Sequence, residues 1–416
     1  MRLENSLKKA VLLLSALMLF IISNAQVSIR LEQAIDSALH KNINFLANNL
    51  KIDYAKKMQK TNPDFDKTFL DFGFGQINGF QNDNRFGASQ TFHFPTVYKR
   101  QASVNASAVQ LAETNNLVDK EQLIYLVKQQ YYSLLVLNEQ IVLLESADSI
   151  YASFYKQSKS RVDAGLSDAL ELSTVENQLM QIRQQLSIVR ETKKGLLAKF
   201  QRTIQTTLHY TPSDDSIIYK FNFSPSLVGN TVSPKLLVLQ SEESLLKKST
   251  ALEKSLLAPS FSVGYSSMTV KGWQTLSLTE DKYFGALDRF GSVNIGLFVP
   301  LFAHSQKARI AASEILVNQK KMETLSFKQE LDDQYKSTLS DFLIQKQILG
   351  EFMRKGLPGA TLILQTASQK FKQGKISYLD WIGYTNQVIQ TNADYLNAVM
   401  RYNEDVFELE KLNTQY

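Results

Sequence analysis

The 416-residue chain contains no cysteine. That removes disulfides, thiolate metal sites, cysteine nucleophiles and cysteine-linked lipid anchors in one step. Histidine is scarce: His40, His93, His209 and His304 lie far apart, and no HExxH or other metal-ligand spacing occurs. No metal is expected. Glycine (17) and proline (8) are few for this length, which points to long helices. Charge of one sign never accumulates, because 46 basic residues interleave with 40 acidic ones to leave a formal +6. Without a basic stripe, nucleic acid is not the expected partner. There is no Ser/His/Asp arrangement in a recognisable context and no phosphate loop, so an enzyme is not expected either. Apolar residues make up 44% and charged residues 21%, which argues against wholesale disorder.

Long apolar runs are also missing. The longest, Ala10 to Ile22, follows Arg2, Lys8 and Lys9 and precedes Ser23-Asn24-Ala25. At about 13 residues it is too short to span a bilayer comfortably. A basic start, a short apolar stretch and small residues at its end form a secretory signal, with cleavage expected before Gln26. The mature chain is therefore expected to be exported without a transmembrane helix, although it could still enter a membrane as a β-barrel.

What is present is a plan stated twice. Leu31, Ala34, Ile35, Ala38 and Leu39 fall on one helical face, and this helix is expected to run to about Asn62, before Pro63. Two alternating runs follow. In 69–75, Leu70, Phe72 and Phe74 alternate with Asp71, Gly73 and Gly75; in 86–94, Phe86, Ala88, Phe92 and Phe94 share a face. A helix free of proline and glycine is expected over 97–163, about 100 Å long at 1.5 Å per residue. After Ala164-Gly165, the residues Leu172, Val175, Leu179, Ile182, Leu186 and Val189 step by three and four, the mark of a coiled-coil seam.

Residues 211–233 read as a linker. The plan then repeats, with a helix to Ala258 and a strand carrying Phe261, Val263 and Tyr265. A loop over 269–290 precedes a strand carrying Val293, Ile295, Leu297 and Val299, and a long helix follows to Phe371. A break at Gly374 leads into a final helix. Four of the eight prolines, Pro63, Pro95, Pro259 and Pro300, bracket the two strand pairs. Pro358, between Gly356 and Gly359, is expected to kink or break the long helix. The domains are therefore 1–25 (signal), 26–210 (first repeat), 211–233 (linker) and 234–416 (second repeat).

An isolated two-stranded hairpin is marginal in water. Strands of about 9 residues with one apolar face have the length of tilted membrane-spanning strands. Four strands cannot enclose a pore, but three chains would supply twelve, within the range of outer-membrane barrels.

Two turn motifs sharpen the reading. One is Arg161-Val162-Asp163-Ala164-Gly165-Leu166, with Leu170-Glu171 and Asn177-Gln178 beyond it. The other runs Lys370-Phe371-Lys372-Gln373-Gly374-Lys375-Ile376-Ser377-Tyr378-Leu379-Asp380, with Asn386-Gln387 beyond it. Glycine to leucine is five residues and glycine to asparagine twelve in both. With the opening Leu31-Glu32-Gln33-Ala34-Ile35, these motifs resemble the TolC family of outer-membrane efflux proteins over essentially the whole mature chain.

The resemblance implies a mainly α fold with a small β part and no cofactor. Long coiled-coil helices would build a trimeric α-barrel, and four strands per chain would join a 12-stranded barrel. The expected partners are two further copies in a homotrimer, outer-membrane lipid, a periplasmic adaptor and an inner-membrane pump of the RND or ABC type. By the same resemblance Asp380, and less strongly Glu171, would narrow a periplasmic aperture. Gly165, Leu166, Gly374, Lys375 and Ile376 would form the adaptor-contacting tips. The residues expected to face lipid are Leu70, Phe72, Phe74, Phe261, Val263, Tyr265, Val293, Ile295 and Leu297. The expected function is a passive exit duct for efflux. Type I protein secretion, or an exported coiled-coil scaffold that forms no channel, stand as alternatives.

Overall fold

A computed structural model describes residues 27–165, 167–206, 210–220 and 233–412. The expected signal segment 1–25, the tip residue Leu166 and most of the linker fall outside these residues. Among the described residues no helix is long and apolar enough to cross a membrane.

The chain divides into two compact units that cut across the sequence repeat. One gathers the parts of 1–48, 117–234 and 329–416 that are described; the other gathers 49–116 and 235–328. In chain order the elements are β1 (Val27–Ile29), α1 (Leu31–Lys41), α2 (Ile43–Gln59), β2 (Phe69–Gly75), β3 (Asp83–Phe92), α3 (Pro95–Asp163), α4 (Ala169–Thr203) and β4 (Tyr210–Pro212). Then come α5 (Pro234–Ser255), β5 (Ser260–Thr269), β6 (Gly272–Ser277), β7 (Glu280–Phe284), β8 (Arg289–Phe298), α6 (His304–Glu351), a π-helical turn (Phe352–Gly356), α7 (Leu357–Lys372) and α8 (Tyr378–Leu412).

Three expectations are adjusted. The first helix is two, because Asn42 interrupts it: its Oδ1 accepts from the Phe45 amide at 3.1 Å, and its Nδ2 donates to the Thr203 carbonyl at 2.9 Å. A buried asparagine that caps one helix and ties down another outweighs continuous periodicity. The loop expected over 269–290 contains the hairpin β6–β7. The effect of Pro358 is local. Leu357 N–H bonds back to Phe352 O, an i→i+5 turn just before the proline, so a π-bulge absorbs the missing donor and α7 continues.

In the second unit β2, β3, β5 and β8 form one four-stranded sheet in that order, antiparallel throughout. The two strand pairs seen in the sequence thus join through β3 and β5. Outer strands β2 and β8 each have one side without a strand partner among the described residues.

The first unit is helical. Val175, Leu179, Ile182 and Leu186 of the α4 seam are buried against Leu144, Ala147, Tyr151 and Phe154 of α3 and Tyr378 and Ile382 of α8. A second core joins Ala34 and Ala38 of α1 to Val127, Tyr131 and Leu134 of α3 and Phe200 of α4. Beside it β1 and β4 pair in parallel, Val27 opposite Tyr210 and Ile29 opposite Pro212. Asn403, 2% exposed, fastens the residues after β4. Its Oδ1 accepts from Tyr219 N–H at 2.8 Å and its Nδ2 donates to Ile217 O at 2.8 Å. The amide acts as a one-residue strand partner for the backbone of residues 217 and 219.

Candidate functional site

Two regions carry the candidate residues: the sheet in one unit and the two helix-to-helix turns in the other.

Side chains alternate across a strand with period two, so the register decides which residues share a face. Leu70 lies opposite Ala88, Ala88 opposite Tyr265, and Tyr265 opposite Val293. The next rows are Gln90, Val263 and Ile295, then Phe92, Phe261 and Leu297. In the row before Leu70 and Ala88, on the same face, Phe72 opposes Phe86. All nine residues expected to face lipid therefore share one face. The face is solvent-exposed in the single chain; Ile295 is 81% exposed. An apolar patch of this extent on a lone chain marks a surface that something else covers.

The opposite face carries mostly small and polar groups, with Phe69, Met268, Phe290 and Phe298 among them. Asp71, Gly87, Ser266 and Ser292 make one row; Ser89, Gly264 and Asn294 the next; Thr91, Ser262 and Gly296 a third. Ser266 and Ser292 share a hydrogen bond at 2.8 Å, and Asp71 pairs with Arg85 at 3.3 Å. At one end of the sheet Asp83, 1% exposed, accepts from Thr269 Oγ1 (3.1 Å), Lys271 N–H (2.9 Å) and Asn78 N–H (3.2 Å). That carboxylate ties the β2–β3 loop to the end of β5. Its alternation with Arg85 gave no hint of this in the sequence.

The turns are built by glycine. Gly165 and Gly374 each hold φ +69°, a left-handed conformation that L side chains adopt at a cost. Gly165 N–H donates to Val162 O at 2.9 Å. After the second turn Gly374 N–H donates to Phe371 O at 2.9 Å and Lys375 N–H to Lys370 O at 2.8 Å, a paired helix cap that reverses the chain. Lys375 is exposed and Ile376 partly buried beyond it.

The two pseudo-equivalent acids have different surroundings. Glu171 is 9% exposed and engaged within its own turn. Its carboxylate accepts from Ser158 Oγ at 2.9 Å and Ser167 Oγ at 2.5 Å, and Arg161 Nε stands 3.9 Å away. Glu171 thereby braces α4 against α3. Asp380 is exposed. Its Oδ2 accepts from Ser377 N–H (3.1 Å) and Ser377 Oγ (2.6 Å), while Ser377 Oγ accepts from Asp380 N–H at 3.1 Å. That reciprocal pair is a capping box. The Ser377 hydroxyl, helped by its amide, holds the Asp380 carboxyl below the usual carboxylate range.

An aromatic cluster stands behind both turns. Trp381 stacks on Phe371 with ring centroids 4.3 Å apart and lies 4.1 Å from Phe154, which in turn meets Tyr378 at 5.5 Å and Tyr151 at 5.3 Å. The Tyr151 hydroxyl donates to Asn386 Oδ1 at 2.6 Å. These contacts clamp α7 and α8 to α3. The Ser-x-x-Asp spacing at 377–380 was a readable signal for the cap. The cluster and the Glu171 brace join residues far apart in sequence and had none.

No protein-family profile matches the chain, and no curated relative does. Solved structures do match. The outer-membrane channel OprN superposes with a TM-score of 0.75 at 13% identity, covering 92% of this chain and 89% of that one. CusC, whose structures describe transmembrane channel formation, gives 0.75 at 15% identity over 94% of both chains. The Campylobacter jejuni outer-membrane channel CmeC gives 0.72 at 13% identity, with 92% and 85% covered. The chain has the fold of these TolC-like outer-membrane channels.

Proposed function

We propose that this protein is the outer-membrane exit duct of a tripartite efflux system and works as a homotrimer. The observation that carries the reading is the sheet: every apolar side chain expected to meet lipid stands on one face, and both outer strands offer an unpaired side. Because all three pairings are antiparallel, β8 runs opposite to β2. The β8 of one copy is thus directed correctly to pair with the β2 of the next, and a closed ring removes the open edges. Eight strands from two copies would make a barrel of a size whose interior side chains can fill, whereas twelve from three leave a lumen. That lumen would be lined by the serines, glycines, Thr91 and Asn294 of the opposite face, with Asp71, Arg85, Phe69, Met268 and Phe290 among them. Such a mixed lining suits varied solutes.

In this reading the signal 1–25 is removed. The two copies 26–210 and 234–416 act as repeats about the 211–233 segment, and the helices form the periplasmic part. Asp380, with Glu171 as the weaker candidate, lies at the periplasmic aperture. Gly165, Leu166, Gly374, Lys375 and Ile376 meet an adaptor that links the duct to an inner-membrane pump. The duct is passive, and the pump chooses the cargo.

Native mass and single-channel recording of the purified mature protein test this directly. A trimer with discrete openings is expected; a non-conducting monomer overturns the proposal. In cells lacking the native protein, Leu166→Glu is expected to abolish efflux while the trimer band persists. Unchanged drug tolerance would remove the tip assignment.

A further inference from the structure

At the end of the sheet nearest Pro95, in the same unit, a cleft of about 560 Å³ opens between the 61–67 segment, the first turns of α3 and the end of α5. Its chemistry is mixed. Phe65, Tyr98, Leu252 and Leu256 are among its apolar lining. Phe65 also lies 5.7 Å from Phe92, which stacks on Phe261 at 5.5 Å, so this lining continues the apolar face of the sheet. The same cleft carries charges of both signs. Asp66 stands 3.9 Å from His93 Nε2, while Asp64 and Lys67 have no ionic or hydrogen-bond partner among the described residues. Asn62 also lines the cleft, and its Oδ1 is buried with no donor among the described residues. A buried amide oxygen left unpaired is costly and invites a donor.

We infer that this cleft is a binding site for a phosphoethanolamine lipid headgroup of the leaflet that faces the cell interior. The inference rests on the duct reading, which puts the apolar face in lipid. A primary ammonium brings three N–H donors and a positive charge, which match the Asn62 oxygen and the carboxylates of Asp64 and Asp66. The adjoining phosphate meets Lys67, and the acyl chains leave along Phe65 and Phe92 onto the lipid-facing side. Paired carboxylates beside a single lysine disfavour a purely anionic headgroup. A quaternary choline carries the same charge without N–H donors, so it leaves Asn62 unpaired.

The comparison of those two headgroups is the test. Native mass spectrometry of the detergent-purified trimer, with dioleoyl phosphatidylethanolamine or phosphatidylcholine added, is expected to show up to three retained molecules of the first. The second should be held about tenfold more weakly, the size of one charge-assisted hydrogen bond lost. Asn62→Ala and Asp66→Asn should each reduce the preference by a similar factor while trimer mass and conductance stay unchanged. Equal retention of both lipids by a conducting trimer, or stronger retention of phosphatidylglycerol, overturns the headgroup site and leaves the duct intact. A chain that neither trimerises nor conducts overturns the duct reading and this site with it.

Discussion

Ser377 and Asp380 hold each other so closely that the carboxylate has two separable jobs. As a cap it orders the first turn of α8; as a charge it is free to act in the aperture proposed above. Asp380→Asn keeps an oxygen for the Ser377 amide but removes the charge. It is expected to leave thermal stability nearly unchanged and to weaken block by multivalent cations in planar bilayers. Ser377→Ala removes the cap and is expected to cost about 1 kcal/mol, read as a lower thermal midpoint. If Asp380→Asn leaves cation block untouched, the aperture role fails. The Asp380 carboxyl is depressed in the fold, so its share of stability is present above the usual carboxylate range and fades as pH falls below it.

Asp405 on α8 behaves in the opposite sense. Burial, with Asp341 and Glu404 nearby, pushes its carboxyl up from 3.8 to about 6, and its Oδ2 has no hydrogen-bond partner among the described residues. The folded state then holds a proton that the unfolded chain has released. Stability therefore declines as pH rises from about 3.8 to 6 and stays lower above that window. Asp405→Asn is expected to raise the thermal midpoint at pH 7 and to flatten its dependence between those values. A midpoint at pH 7 that does not rise would mean the site is satisfied in the assembled protein.

At the scale of elements, the α4 seam was legible in the sequence. Val175, Leu179, Ile182 and Leu186 are all buried, because a sustained three-four step leaves a helix one way to hide its apolar stripe. Strands β2, β3, β5 and β8 were legible for the same reason with period two, and the glycine turns because only glycine takes φ +69° without strain. What escaped were features decided by partners distant in sequence. Among them are the break at Asn42, the Asn403 fastening, the β1–β4 pair and the Glu171 brace. Each rests on a polar side chain or short segment whose role depends on a surface that local pattern does not encode.

The aromatic cluster is the strongest of these features. Phe154 is 1% exposed and touches both Tyr378 and Trp381. Phe154→Ala is expected to cost about 3–5 kcal/mol and to raise amide exchange in α7 and the first turns of α8 before the rest of the helical unit. Trp381→Phe should be nearly neutral, because the Trp381 Nε1 is buried without an acceptor among the described residues, so its loss removes an unmet donor. Equal losses from the two variants would show that packing alone does not set the order of this turn.

For the molecule as a whole, the decisive property is that one sheet has two unlike faces. In the proposed duct Leu70, Tyr265, Val293 and Ile295 would meet hydrocarbon, and Ser89, Gly264, Ser292 and Asn294 would meet water. Neighbouring residues on β8 therefore have opposite tolerances. Ile295→Lys would put a cation in lipid and is expected to destabilise the barrel by about 2–4 kcal/mol if the site lies near the bilayer midplane, seen as a heat-modifiable trimer that dissociates at lower temperature. Asn294→Lys, one residue away, would put the same charge in the lumen. The trimer is then expected to keep its dissociation temperature while the reversal potential in a salt gradient moves toward anion preference, because three added cations line one ring. A water-exposed scaffold has no lipid side, so on it both lysines would be tolerated alike and neither would alter a conductance. Opposite outcomes at 294 and 295 require a closed barrel with lipid on one side and a conducting lumen on the other.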